Sequence, residues 1–159
     1  MIGGPVAADS EVRPLRTMPA DEDIWIEAER KHAEDYLREQ RVEHLGVGEY
    51  PAFHVHPYFA LWAVQSKRSP GAIGWWVVTG DLPADYISSS EGRHPREAMR
   101  AFARHWQEVS GFMLRGEPHP DYRIGTPDQW PELRDLLRRR AEIVQRYVDD
   151  DEIWKENVV

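Results

Sequence analysis

The sequence has no cysteine in its 159 residues. That excludes disulfide scaffolds, thiolate zinc sites, iron–sulfur clusters and cysteine nucleophiles. No apolar run approaches the roughly 18 residues of a membrane span. Glycine-rich phosphate loops of the P-loop or dinucleotide type are missing, and Ser88-Ser89-Ser90 lies in no G-x-S-x-G elbow. Nucleotide binding and serine hydrolysis therefore have no motif behind them. Basic residues are in the minority, with 20 Lys and Arg against 28 Asp and Glu and a net charge of −8. Such a surplus of acid opposes phosphate backbones and anionic membranes. The expected partner is therefore neither nucleic acid nor membrane, and no cofactor is expected.

What is present is enough apolar material, 41% of residues, for one packed domain. Residues 1–20 hold Gly3, Gly4, Pro5, Pro14 and Pro19 without an apolar stripe, and Met18 is a second plausible start. This stretch reads as a disordered lead-in that can be removed without unfolding the rest. It lacks the basic start and apolar stretch of a secretory signal, so a cytoplasmic location is expected. Residues 21–159 are expected to form a single α+β domain.

From Asp21 to about His44 the pattern is helical, with acids in the first turn and an apolar stripe of Trp25, Ala28, His32, Tyr36 and Leu37. Gly46 and Gly48 are expected to end it. Residues 58–64 and 73–78 are short, aromatic and β-branched, apolar on successive positions, and joined by the turn residues 66–71. They predict a hairpin buried on both faces. Residues 85–88 add an edge strand, and 47–55 can pair only at an edge because of Pro51. Pro95 and Glu97 open a helix whose stripe is Met99, Phe102, Trp106, Val109 and Met113. A last helix, capped by Thr126 or Asp128, buries Leu133, Leu136, Leu137, Val144, Tyr147 and Val148, with Arg140 as an exception. Ile153 and Trp154 fold back as a final turn. The predicted architecture is a small antiparallel sheet of three to four strands, packed with one N-terminal and two C-terminal helices.

Charge divides unevenly along the chain. Residues 9–43 carry 11 acids and 6 bases, whereas 95–148 carry 10 arginines and 8 acids. The densest positive cluster is Arg134, Arg138, Arg139 and Arg140, which is expected to pair with acids of the same fold. The remaining acids predict a surface for a basic protein partner, with Glu27, Glu34, Asp35, Asp149, Asp150 and Asp151 as candidate contacts. That points to a non-enzymatic interaction domain, an adaptor or immunity-like protein.

The alternative is a small metal-dependent hydrolase or ligand-binding protein. His54 and His56, two residues apart in a strand, project on one face about 7 Å from each other. Two imidazoles so placed suit one metal, with Asp81, Asp85 or His94 as a further ligand or catalytic acid–base group. The competing explanations are ordinary edge histidines before Pro57 and a turn in which Gly80, Asp81 and Pro83 serve the backbone. A groove lined by Trp75, Trp76 and Tyr86 is a third candidate, in which adjacent tryptophans must face opposite sides of the sheet.

The run Gly74-Trp75-Trp76-Val77-Val78-Thr79-Gly80-Asp81-Leu82-Pro83-Ala84-Asp85-Tyr86, with His94-Pro95-Arg96-Glu97-Ala98 after it, resembles a proteobacterial domain family of unknown function. The likeness runs from about residue 23 to 154. It implies a cytoplasmic bacterial domain and assigns no catalytic residue, cofactor or substrate.

Overall fold

The computed structural model describes residues 19–122 and 124–155. The lead-in expected over residues 1–20 lies almost wholly outside them. The described residues fall into two compact units, one up to Ser89 and one from Ser90 onward.

The first unit is a helix on a five-stranded antiparallel sheet: α1 (Pro19–Glu39), β1 (Gly46–Val47), β2 (Phe53–Val55), β3 (Phe59–Gln65), β4 (Ile73–Gly80) and β5 (Asp85–Ser88). The order is β1-β3-β4-β5, with β2 also on β3. The sheet exceeds the expected three or four strands because residues 46–55 supply two short pieces of one broken edge. Val47 pairs with Val64 and Phe53 with Leu61, while Pro51 sits in the interruption, as a residue without an N–H must.

Every second residue of the two central strands faces α1. Ala60, Trp62, Val64 and Val77 pack with Trp25, Ile26, Ala33, Tyr36 and Leu37. The residues between them, Phe59, Leu61, Trp76 and Val78, are buried as well, so both faces of the hairpin are covered. One polar group inside is satisfied locally: Trp62 Nε1 donates to Thr79 Oγ1 at 3.0 Å. Gly80 ends β4 with φ +103°, and a Cβ there would stand 2.5 Å from the Tyr58 carbonyl oxygen. Only glycine meets both conditions.

Helix α1 departs from its expected stripe and end. Ala28 and His32 are exposed, and the buried side runs through Trp25, Ile26, Glu29, Ala33, Tyr36 and Leu37. Glu29 concealed it, since a carboxylate at a core-facing position reads as solvent surface. Here it is met by His32 Nδ1 at 3.1 Å. The helix stops at Glu39 rather than at about His44, through Val42 N donating to Leu37 O and Arg41 N to Arg38 O. That is a Schellman closure with Arg41, at φ 58°, in the position that usually holds glycine. Arg30 then ties α1 to β1, its Nε and Nη2 donating to the carbonyls of Gly48 (2.9 Å) and Val47 (2.8 Å).

The second unit holds α2 (Pro95–Leu114), α3 (Trp130–Asp149) and α4 (Asp151–Trp154), preceded by a 3-10 turn ending at Glu91. All five residues of the α2 stripe are buried. Glu97 accepts from Arg93 N just before the helix (3.0 Å). The two long helices run antiparallel. Ser110 near the end of α2 donates to the Arg134 carbonyl at the start of α3, and Arg96 at the start of α2 donates to the Val148 carbonyl at the end of α3. The start of α3 corrects the expected cap. Neither Thr126 nor Asp128 is the N-cap; Thr126 O accepts from Gln129 N, and Gln129 Oε1 accepts from Thr126 N. The turn of α4 tucks Trp154 back, with Nε1 donating to Tyr147 O at 2.8 Å.

Candidate functional site

Strand β2 brings His54 against the first turns of α1. His54 Nε2 lies 2.8 Å from Glu22 Oε1, and because a carboxylate only accepts, the imidazole donates. The Trp25 ring sits 6.2 Å from that of His54 and 5.1 Å from that of His56, so both imidazoles meet one side chain, although β2 ends at Val55 and His56 lies in the turn after it rather than in the expected strand. Tyr50 closes edge-on at 5.4 Å from His54. Around this cluster, Ile24 is 65% exposed, Tyr50 59% and Tyr58 58%. Tyr50, Tyr58 and Ile24 are thus exposed beside half-buried imidazoles and the acids of the α1 N-terminus, while Trp25 behind them belongs to the core.

The other sequence candidates take separate places. Asp85 is only 1% exposed, and its Oδ1 accepts from Tyr86 N at 2.8 Å. Asp81 is exposed, and its N–H donates to Tyr58 O, serving the turn. His94 is exposed at the N-cap of α2 and makes no side-chain cap bond. Among the described residues no three His, Asp or Glu side chains gather as a metal set. Trp76 is buried, while Trp75 and Tyr86 meet edge-to-face at 5.7 Å and pack on the α1 core. Trp75 and Trp76 thus face opposite sides of the sheet. Burial, with Asp85 beside it, raises the pKa of the Tyr86 phenol.

The six candidate partner contacts are largely occupied. Glu34 pairs with Arg30 at 3.3 Å, and Asp35 with Lys31 at 2.8 Å and Arg38 at 3.0 Å. The Lys31 hydrogen bond in particular holds the Asp35 carboxyl below its ordinary pKa. Asp149 accepts from Gln145, and Asp150 caps α4 through Glu152 N. Asp151 meets Arg96 at 2.6 Å, which lowers its pKa too. Glu27 is exposed and has no partner among the described residues. Of the arginine cluster, Arg134 pairs with Asp135 and Arg138 with Glu142, while Arg139 donates to the Asp135 carbonyl, all within α3.

A second arrangement, in the helical unit, involves residues the sequence did not single out. His105 Nε2 lies 2.8 Å from Glu91 Oε1, and Nδ1 is bonded to the Tyr122 hydroxyl. The carboxylate assigns the proton to Nε2, so Nδ1 accepts from the phenol. Carboxylate, imidazole and phenol form one chain with both rings buried. His119 holds the same loop, its Nδ1 accepting from Asp121 N at 3.0 Å and Tyr122 N at 3.3 Å. The available signal was His105 itself, a titratable residue three after Phe102 and four before Val109 on a buried helix side.

The family model that matches residues 20–154 is described as a domain of unknown function, DUF4826, and the chain belongs to that family. No curated protein and no solved structure matches it. Among the described residues, no helix is long and apolar enough to cross a membrane.

Proposed function

We propose that this chain is a non-enzymatic interaction domain that engages a basic protein partner through the aromatic and acidic surface at the start of α1. The observation that carries this reading is the cluster of Trp25, Tyr50, His54 and His56 around Glu22, with Ile24 and Tyr58 left exposed nearby. Tyr and Trp are the side chains that most often anchor interfaces, because they bury large area with few rotatable bonds. Asp21, Glu22, Asp23 and Glu27 on the same helix give the surface the sign that attracts Lys and Arg, which also stack on aromatic faces. The pairing of Glu34 and Asp35 within α1 does not oppose this. Exposed ion pairs contribute about 0–1 kcal/mol, so a partner's arginine can displace them at little cost.

The test is affinity capture with the full chain at low and high salt, beside Tyr50→Ala and Glu27→Lys variants. The expected result is a basic protein retained at low salt by the original chain, released at high salt, and lost from both variants. Recovery of nothing, or of the same proteins by all three baits, refutes the proposal.

A further inference from the structure

The loop between α2 and α3 roofs a pocket of about 260 Å³. Val109 and Met113 of α2 and Tyr122 of the loop, all buried, form its inner wall; Ile124 and Trp130 flank it, and the exposed Glu117 and Gly125 lie at its mouth. An engineered apolar cavity of about 150 Å³ takes one benzene ring, so this space suits one or two fused rings.

Its walls are built and held. Tyr122 turns its hydroxyl to His105, which is not among the lining residues, and so offers the pocket its ring. Trp130 likewise spends its N–H on the Ile124 carbonyl at 3.1 Å. His119, another lining residue, is fixed by two backbone N–H groups, and its ring packs at a 42° tilt 4.8 Å from that of Tyr122. Gly125 adopts φ +58°, where an added Cβ would fall 2.6 Å from Leu133 Cδ1. The polar groups of the loop are thus consumed in fixing its course, and rings and a thioether are left facing inward. Flat walls and a polarizable sulfur favour a planar aromatic guest over an aliphatic one. Among the described lining residues the one with a formal charge is Glu117, whose Oε2 also lies 3.5 Å from Arg115 Nε, so it favours a guest that is neutral or cationic.

We propose that this pocket binds a planar aromatic amine of about indole size, its ring among Met113, Tyr122 and Trp130 and its N–H donor toward Glu117. The chemistry can come from a free aromatic amine or from an aromatic side chain of a bound polypeptide. This inference stands apart from the surface at α1, which lies in the other unit and shares no residue with it.

The experiment is calorimetric titration of the full chain with tryptamine, indole, indole-3-acetate and cyclohexylamine, and with an N-acetylated peptide carrying one tryptophan. For a guest this small the expected dissociation constant for tryptamine is on the order of 0.1–1 mM. Cyclohexylamine and indole-3-acetate should bind at least about tenfold more weakly, and Glu117→Gln should narrow the gap between tryptamine and indole-3-acetate. Ile124→Trp and Pro118→Trp, which fill the pocket from the loop and from the rim, should each abolish binding, with folding checked by circular dichroism. Tighter binding of tryptamine than of the peptide assigns the free molecule, and the reverse assigns a partner's side chain. Equal binding of cyclohexylamine, preference for the acetate, no binding of either tryptamine or peptide, or binding that survives in a folded filling variant overturns the proposal.

Discussion

The Glu91–His105–Tyr122 chain predicts an energetic coupling that a double-mutant cycle can read. Tyr122→Phe removes the phenol oxygen and leaves His105 Nδ1 without its donor in a buried site. His105→Leu takes the acceptor from the Tyr122 hydroxyl, which is buried too. Each change breaks a hydrogen bond while leaving one polar partner inside, at a cost of about 1–3 kcal/mol. Glu91 adds little to the second figure, because its side chain is 31% exposed and can be hydrated when the imidazole leaves. Making both changes at once removes donor and acceptor together, and one broken bond is no longer counted twice. The double variant should therefore be less destabilised than the sum of the single ones by about 1–2 kcal/mol.

Urea unfolding followed by circular dichroism measures all four corners of the cycle. Costs that add to within about 0.5 kcal/mol would refute the coupling, and with it the claim that His105 fixes the loop carrying Tyr122. Because the ring and not the hydroxyl faces the pocket, Tyr122→Phe should cost stability while leaving affinity for an aromatic amine nearly unchanged.

Arg41→Gly should stabilise the chain. A left-handed φ costs a residue with a side chain about 1 kcal/mol, part of which the extra freedom of glycine in the unfolded state offsets. A net gain of about 0.5 kcal/mol raises Tm by roughly 1–2 °C in calorimetry, and a fall in Tm would show that Arg41 makes a compensating contact. His44 is half-buried, its Nδ1 has no partner among the described residues, and burial outweighs the attraction of Glu34 in lowering its pKa from 6.5. The unfolded chain then binds this proton at higher pH than the folded one. Stability therefore declines as pH falls through 6.5 toward the lower folded value. Urea midpoints taken over that range should show a smaller slope for His44→Leu, and an identical slope would exclude His44 as the source.

How far the fold was legible depended on whether burial and hydropathy agreed. On α2 they did: Met99, Phe102, Trp106, Val109 and Met113 recur at helical spacing and all are buried. The central hairpin was equally readable, since unbroken apolar strands need cover on both faces. On α1 they disagreed at Glu29, a buried carboxylate, and the inferred stripe slid onto Ala28 and His32. The end of that helix was hidden for a different reason. Arg41 takes a backbone conformation that its residue type does not advertise, so the nearest glycines drew the boundary five residues too far along. The α2–α3 pocket was hidden most completely. Its parts come from two helices and the loop between them, and His105 meets Tyr122 only after α2 and the loop have packed. No local spacing encodes that meeting, whereas the His54–His56 pair was visible as two imidazoles two residues apart, though only His54 lies in β2 and His56 falls in the turn after it.

The distribution of ion pairs bears on how an acidic chain of this kind would hold a partner. Most of the candidate acids already have neighbours: Asp35 is bracketed by Lys31 and Arg38, Glu34 touches Arg30, and Asp151 holds Arg96. A partner's cation at these positions exchanges one solvent-screened pair for another, and the net gain is small. The field of the whole chain is not reduced by such pairing, because its net charge of −8 persists. On the proposed reading the two tasks then separate. Charge sets how fast a basic partner arrives and how steeply that rate falls with salt, while the exposed ring of Tyr50 and the half-buried ring of His56 set how long it stays. Loss of Tyr50 would therefore appear in the dissociation rate and reversal of Glu27 in the association rate, a division that a purely electrostatic contact would not produce.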